Sequence, residues 1–464
     1  MGIISAACIL LALLGLVGFS GILLWPRRGA ARVVGGVLLL LALLATAALV
    51  ALSTIPVGIG NPFIRLPARL EPAEWVGSAV ALCIIACVSF FVGRTLRRWL
   101  SRAGPSRPLA VAVLLAVPLI SAASMGGLVY ASTPARERER DPSKRDITLA
   151  RGFEWNIFVQ GTIDNPTAIA FGPDDKLYIA DIAGGLWVAT DADHDGRAEQ
   201  VRRFADGFSL LVGLAWRGDE LYAASSGKIE ALRDTDGDGV ADQRRVVVDG
   251  LPSMILKPHS NNGIAFGPDG RLYFGVGSTT NDQVETNELA ASILSVNPDG
   301  SDLRVVARGL GNSFDLAFDA QGELFAGDNS PIGPDGEAPD EFNQIIEGQH
   351  YGFPYFYGDP PDRSTRGPLI SFPPHSVPTG VTFYTGDQYP QDYRGAAFIT
   401  LWNLGELARI EIEHASDGTV TARERTFGSG FLYPIDVLTG PDGNLYVADF
   451  GTSAIYRITY QPNE

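Results

Sequence analysis

The C-terminal two-thirds of the chain writes one phrase over and over. It reads TAIAFGPDDKLYIAD from Thr167, VGLAWRGDELYAAS from Val212, NGIAFGPDGRLYFGVGS from Asn262, FDLAFDAQGELFAGD from Phe314 and IDVLTGPDGNLYVAD from Ile435. Each copy is an apolar strand, a Gly/Asp turn and a second strand that ends in small residues. A degenerate copy, GVTFYTGDQYPQDYRGAAFIT from Gly380, fills the remaining gap. At the aligned positions Phe171, Trp216, Phe266, Phe318, Phe383 and Thr439 the steps are 45, 50, 52, 65 and 56 residues. A four-stranded propeller blade repeats at roughly 40–50 residues, so six copies predict an all-β six-bladed propeller over 151–464. Further strands fall between copies, at Leu186, Lys228, Ser292, Ala408 and Ala454. Ring closure removes exposed strand edges without capping repeats, and the segment Trp155–Gln160 is placed to supply the closing strand.

Charge divides the chain sharply. Residues 1–132 hold ten Arg, no Lys and two acids, Glu71 and Glu74, whereas the remainder carries 26 basic and 50 acidic residues. An acidic folded part repels phosphate, which excludes a nucleic-acid binder. All three cysteines (Cys8, Cys83 and Cys87) lie in the apolar part, so the repeat array has no disulfide, thiolate metal site or cysteine nucleophile.

Four uncharged apolar stretches, about 3–25, 33–53, 75–93 and 109–132, each have the roughly 20 residues a helix needs to cross a bilayer. They predict an α-helical membrane region of four helices before the propeller. Arginines crowd the first loop (Arg27, Arg28, Arg32) and the third (Arg94, Arg97, Arg98, Arg102, Arg107), against Arg65 and Arg69 in the second. Loops one and three are therefore expected to be cytoplasmic, which puts the propeller on the extracytoplasmic side of the cell membrane. Residues 133–150 read as a charged, solvated tether. The spans carry no charged residue and no histidine, so they read as an anchor rather than a transport path or a bis-histidine haem site.

Three segments carry a more specific likeness: GPDGEAPDEFNQIIEGQHYGFP from Gly333, Pro258-His259 ahead of the third copy, and Pro374–Gly395. Through these, residues from Phe153 onward resemble the glucose/sorbosone dehydrogenase family of soluble quinoprotein sugar dehydrogenases. The resemblance implies hydride transfer from a sugar hydroxyl to pyrroloquinoline quinone (PQQ) held by Ca2+, with a small sugar or polyol as substrate. The electron acceptor is left open.

Hydride removal needs a base at the hydroxyl, and imidazole titrates nearest neutral pH. His259, just before an inner strand, takes that role by position, and the resemblance implies the same; a loop histidine bonded to a neighbouring carbonyl is the alternative. His350 and His375 lie in other matched loops, while His194 and His414 read as surface residues. Calcium takes six to eight oxygens. The resemblance assigns the cofactor calcium to carbonyls of Gly333 and Pro334, in a loop shaped by Asp340, Glu341 and Asn343; a solvated acidic turn is the other reading. Independently, Asp191/Asp193/Asp195 with Glu199, and Asp234/Asp236/Asp238 with Asp242, read D-x-D-x-D-G-x-x-[DE]. That pattern suits either structural calcium or a hairpin turn stiffened by Asp-Gly.

The departures matter too. A tricarboxylate cofactor calls for guanidinium or ammonium partners. The family's Arg-Asn, Trp-Asn-Arg and Arg before an Asp-Val strand read here Gly311-Asn312, Trp402-Asn403-Leu404 and Tyr433-Pro434-Ile435-Asp436. Lys257 and Arg308 adjoin matched loops as substitutes, and Asn312 and Asn403 keep their motif positions. Two other functions follow if the quinone is absent: a non-catalytic propeller that binds a glycan or protein, or a calcium-dependent lactonase-type hydrolase using oxygens of Asn261, Asn312, Asp315 and Asp328.

Overall fold

The computed structural model describes residues 140–253, 260–280, 282–331, 338–360 and 365–462. The four apolar stretches, residues 133–139 of the tether, and the segments with Lys257, His259, Gly333 and Pro334 lie outside them. Among the described residues no helix is long and apolar enough to cross a membrane.

Among the described residues six antiparallel sheets form, one for each copy of the phrase. The inner strands are Pro166–Phe171, Gly213–Arg217, Asn261–Phe266, Ser313–Phe318, Pro378–Phe383 and Pro434–Thr439, numbered here as blades one to six. Blades one to four add their second, third and outer strands in chain order. Blade six closes the ring: Phe153–Gln160 pairs with Ala454–Tyr460, Phe153 opposite Tyr460 and Gln160 opposite Ala454. The predicted six-bladed propeller and its closing strand are both present.

The repeated aromatics explain the phrase. The ring in the second strand of one blade meets, edge on, the inner-strand ring of the next: Tyr178 on Trp216 at 4.8 Å, Tyr222 on Phe266 at 4.9 Å, Tyr273 on Phe318 at 5.1 Å, Phe325 on Phe383 at 5.3 Å and, across the closure, Tyr446 on Phe171 at 4.9 Å. Each such pair adds about 0.5–1.5 kcal/mol beyond the area it buries. The seam from blade five to six has Thr439 at the inner position, and it is braced instead by Tyr384, whose hydroxyl donates to the Gly443 carbonyl at 2.7 Å. Tyr389 adds a second brace there, donating to the Ile458 carbonyl at 2.6 Å.

The tether's last residues are docked. Thr148–Leu149 adds a fifth strand to blade five against Gly428 and Ser429. Arg145 donates through Nε and Nη2 to the Gly430 carbonyl at 3.0 and 2.8 Å. The expectation of a solvated tether therefore does not hold from Asp141 onward, where chain order puts the segment beside blades five and six.

Six inner strands surround a central cavity of about 290 Å³. One layer of its lining is written by the third residue of the inner strands, or the first where the strand starts later: Ala168, Gly213, Gly263, Asp315, Gly380 and Asp436. A side chain at Gly263 or Gly380 would collide with its neighbour, since the Cβ would stand 2.4 Å from the Asp436 Cα at Gly380 and against an Asp315 carboxylate oxygen at Gly263. The two carboxylates span blade seams. Asp315 accepts the Val381 N–H at 3.0 Å and Asp436 accepts the Ile169 N–H at 2.7 Å. Burial pushes Asp315 up to about 7 and Asp436 well above the ordinary carboxylate range, with Asp315 adding repulsion at Asp436.

Candidate active site

Strand alternation puts the start of every inner strand, and the turn after every second strand, at one end of the channel. That end gathers the flanks of the His259 and Gly333–Pro334 segments, together with Asn312, Trp402, Asn403 and Tyr433. Contacts tie these positions from blade to blade. Asn262 donates to Asn312 Oδ1 at 2.8 Å and to the Ser313 carbonyl at 2.9 Å, both amides being buried. Asp340 accepts the Val377 N–H at 2.8 Å from blade five. Trp402 stacks on Tyr433 at 5.1 Å and packs on Phe450 at 4.9 Å, joining blade five to blade six.

Three buried carboxyls stand beside Asn312 on blade four. Asp328 accepts the Gly311 and Asn312 N–H groups, both at 2.9 Å, and the Ser313 hydroxyl at 3.2 Å. Asp328 faces Glu341 across the ladder. Desolvation, with repulsion from Glu341, raises Asp328 to about 8; desolvation raises Glu341 to about 7 and Asp340 to about 6. Much of this acidity is therefore neutral near pH 7.

The acidic run expected as a loop is a strand. Asp340–Ile345 is the third strand of blade four, buried along its whole length. The phrase DEFNQI alternates too little to announce a half-buried strand, because both of its faces are covered. Asp340 spends its oxygens on the Ser330 and Val377 N–H groups, and Glu341 on the Gly358 N–H at 2.7 Å and the Asn343 amide at 3.0 Å. Both side chains thus act as struts, Asp340 for Ser330 and Val377 and Glu341 for Gly358.

The remaining expected residues divide. Arg308 is exposed, with Nη1 on the Glu288 carbonyl at 2.7 Å. Asn403 is exposed and donates to the His375 carbonyl at 2.9 Å. His350 lies against Gly309, its Nδ1 accepts the Gly352 N–H at 3.1 Å, and burial with Arg308 nearby holds its pKa down. His375 is exposed with φ 63°. Asn261 accepts the Gly227 N–H at 2.7 Å and Asp328 caps the Gly311 and Asn312 N–H groups, so both oxygens hold backbone donors. Two of the three positions without the family's cations, Gly311 and Tyr433, have a structural reason. A Cβ at Gly311 would stand 2.6 Å from the Asn329 carbonyl oxygen, Leu404 is exposed, and Tyr433 is half of the Trp402 stack.

Away from this end, Asp191, Asp193, Asp195 and Glu199 bring ligand oxygens within 4.8 Å of one another, as do Asp234, Asp236 and Asp238. Asp191 Oδ2 holds the Gly196 N–H at 2.9 Å, and its Oδ1 is buried without a hydrogen-bond partner. Asp242 is drawn off by Thr235.

The fold and the gathered residues define a six-bladed propeller whose candidate site sits at one mouth of its channel. The model of a domain of unknown function, DUF7133, matches residues 143–350. The chain is 22% identical over 304 residues to quinoprotein glucose dehydrogenase B of Acinetobacter calcoaceticus, covering 53% of this chain and 60% of that protein, so it spans about three-fifths of that relative's length. A structure from Thermus thermophilus, assigned as an oxidoreductase of the glucose dehydrogenase type, matches with a TM-score of 0.57 and 28% identity over 66% of this chain and all of that one. The PQQ-bound aldose sugar dehydrogenase of Streptomyces coelicolor shares the fold, with a TM-score of 0.54 and 19% identity over 67% of this chain and 99% of that one. The propeller thus resembles those of PQQ-dependent sugar dehydrogenases.

Proposed function

We propose that the chain is a membrane-anchored sugar dehydrogenase of the quinoprotein kind, working on the extracytoplasmic side. One observation carries the reading: motif positions scattered from Ser260 to Tyr433 meet at one channel mouth, linked blade to blade by Asn262–Asn312, Asp340–Val377 and Trp402–Tyr433. A calcium-bound PQQ would supply the hydride acceptor. The residues present suit such a group in a particular way. The Trp402–Tyr433 stack offers a planar face, the Asn262 and Asn312 amides are fixed at the same channel mouth, and Arg308 provides an exposed guanidinium. The raised carboxyls of Asp328 and Glu341 reduce repulsion of an anion. Carbonyls of Gly333 and Pro334 would hold the calcium. His259 would take the proton of the sugar hydroxyl on an imidazole nitrogen.

The test is a spectroscopic titration of the purified chain with PQQ and Ca2+, followed by dye reduction with aldoses. Binding with turnover is expected. His259→Gln should keep binding and lower turnover by roughly 10²–10⁴. Absence of both binding and turnover refutes the reading. The aromatic stack, with Tyr433 at a position where the family places a cation, favours one second reading, an extracellular glycan-binding propeller, and glycan binding without quinone binding would establish it.

A further inference from the structure

At the opposite end of the channel, the turn between the first two strands of blade four is written differently from its counterparts. In blades one, three and six the turn opens with Gly172, Gly267 or Gly440, and an aspartate two residues on hydrogen-bonds a tyrosine hydroxyl: Asp174 with Tyr178, Asp269 with Tyr273, Asp442 with Tyr446. Blade four has Asp319 in place of the glycine and Phe325 in place of the tyrosine. Asp319 Oδ1 accepts the Gln321 and Glu323 N–H groups at 2.9 and 2.8 Å, which fixes the carboxylate. Its Oδ2 is buried without a hydrogen-bond partner, on a side chain only 4% exposed.

That oxygen points at His414, at the end of the third strand of blade five. His414 Nε2 is 3.2 Å from Asp319 Oδ2, and Nδ1 is 3.5 Å from Glu323 Oε2. Glu323 is itself held by Gln344 Nε2 at 2.7 Å, and Gln344 by Arg366 at 2.6 Å. All three side chains bring a ligand atom within 4.8 Å of the others. A tetrahedral metal with bonds of about 2.0–2.1 Å separates its ligand atoms by roughly 3.3–3.4 Å, close to the 3.2 Å between Nε2 and Asp319 Oδ2; Glu323 lies nearest Nδ1 and would swing toward Nε2, since one ion binds one ring nitrogen. One imidazole with two carboxylates suits a borderline divalent ion rather than calcium, which prefers oxygen alone. His414 is 29% exposed, so water has room to complete the coordination. His414 is a surface residue, as expected, and one that faces two acidic side chains of the neighbouring blade.

We propose that Asp319, Glu323 and His414 form a zinc-type divalent metal site that clamps blade four to blade five. It is built apart from the candidate active site and does not depend on the dehydrogenase reading. The test uses the full chain, stripped with chelator and dialysed, then titrated with Co2+ in millimolar Ca2+ to occupy oxygen-only sites. A visible d–d band saturating at one equivalent and displaced by Zn2+ is expected, together with a Zn2+-dependent rise in melting temperature. His414→Gln and Glu323→Gln should each lose the band and the rise while keeping the β circular dichroism of the parent. A band and a thermal shift unchanged in both variants, or no Co2+ response in the parent chain, overturn the proposal.

Discussion

Asp328 offers the sharpest test of how blade four is held. It is 4% exposed, accepts three hydrogen bonds, and titrates near 8, against about 3.9 for an unfolded aspartate. Between those values the folded chain keeps a proton that the unfolded chain has released. This contribution to stability is therefore fully present below about pH 4 and is lost as pH rises through 8, by up to about 1.4 kcal/mol per pH unit. Over the whole window the loss is on the order of 5 kcal/mol. Asp328→Asn abolishes the titration but turns an amide toward one backbone donor, at a cost of about 1–3 kcal/mol. The variant should be the less stable protein at pH 4, match the parent near pH 5–6 and exceed it at pH 8. Urea midpoints for both proteins at each pH, with calcium held constant, measure this, and the shared titrations of Asp340 and Glu341 largely cancel in the difference. A gap that stays constant from pH 4 to 8, or widens, would mean that Asp328 is ionised in the fold, and the burial argument would fail.

Three further outcomes are expected. A chain begun at Arg140, which keeps the Arg145 bonds to Gly430, should be a soluble β protein without detergent, whereas one begun at Asp146 should melt lower; comparing the two by circular dichroism and light scattering checks the boundary. Chelation should lower the melting temperature of that soluble chain, and Asp191→Asn with Asp234→Asn should remove the calcium-dependent part, because an ion bound only by the folded state stabilises it by mass action. Tyr433→Arg should tighten quinone binding by adding a guanidinium at the channel mouth, while Gly311→Arg should destabilise the protein through its clash with the Asn329 carbonyl; a quinone titration and a melt of each variant separate the two effects.

The blades were legible because one aromatic per inner strand must meet one from the preceding blade, which writes Phe171, Trp216, Phe266, Phe318 and Phe383 at a regular step. The closing strand at Phe153–Gln160 was legible for a related reason, since a ring without caps needs an edge filled. Asp340–Asn343 misled as a loop because a central strand covered on both faces loses the alternation that marks strands, and its charges suggest solvent. His414 was equally opaque. Nothing local to Glu413 or Ala415 announces the buried oxygen of Asp319, which lies on another blade, although the exchange of Gly-and-Tyr for Asp-and-Phe in one copy was a readable signal. The pairing of Asp315 and Asp436 in the channel layer was hidden likewise, as it emerges only when the six inner strands are compared position by position.

The closure through Phe153–Gln160 also sets a schedule. This strand is the first part of blade six to be synthesised, and its partner, Ala454–Tyr460, lies about 300 residues later. At roughly 5–20 residues per second the ribosome needs about 15–60 s to supply that partner. Throughout that interval one edge of the incomplete ring stays open, and the apolar Phe158 and Val159 wait without the sheet that buries them. Ring closure is thus a late event with a very long loop to close, the kind of topology that folds slowly and needs protection from edge-to-edge association while it is being made.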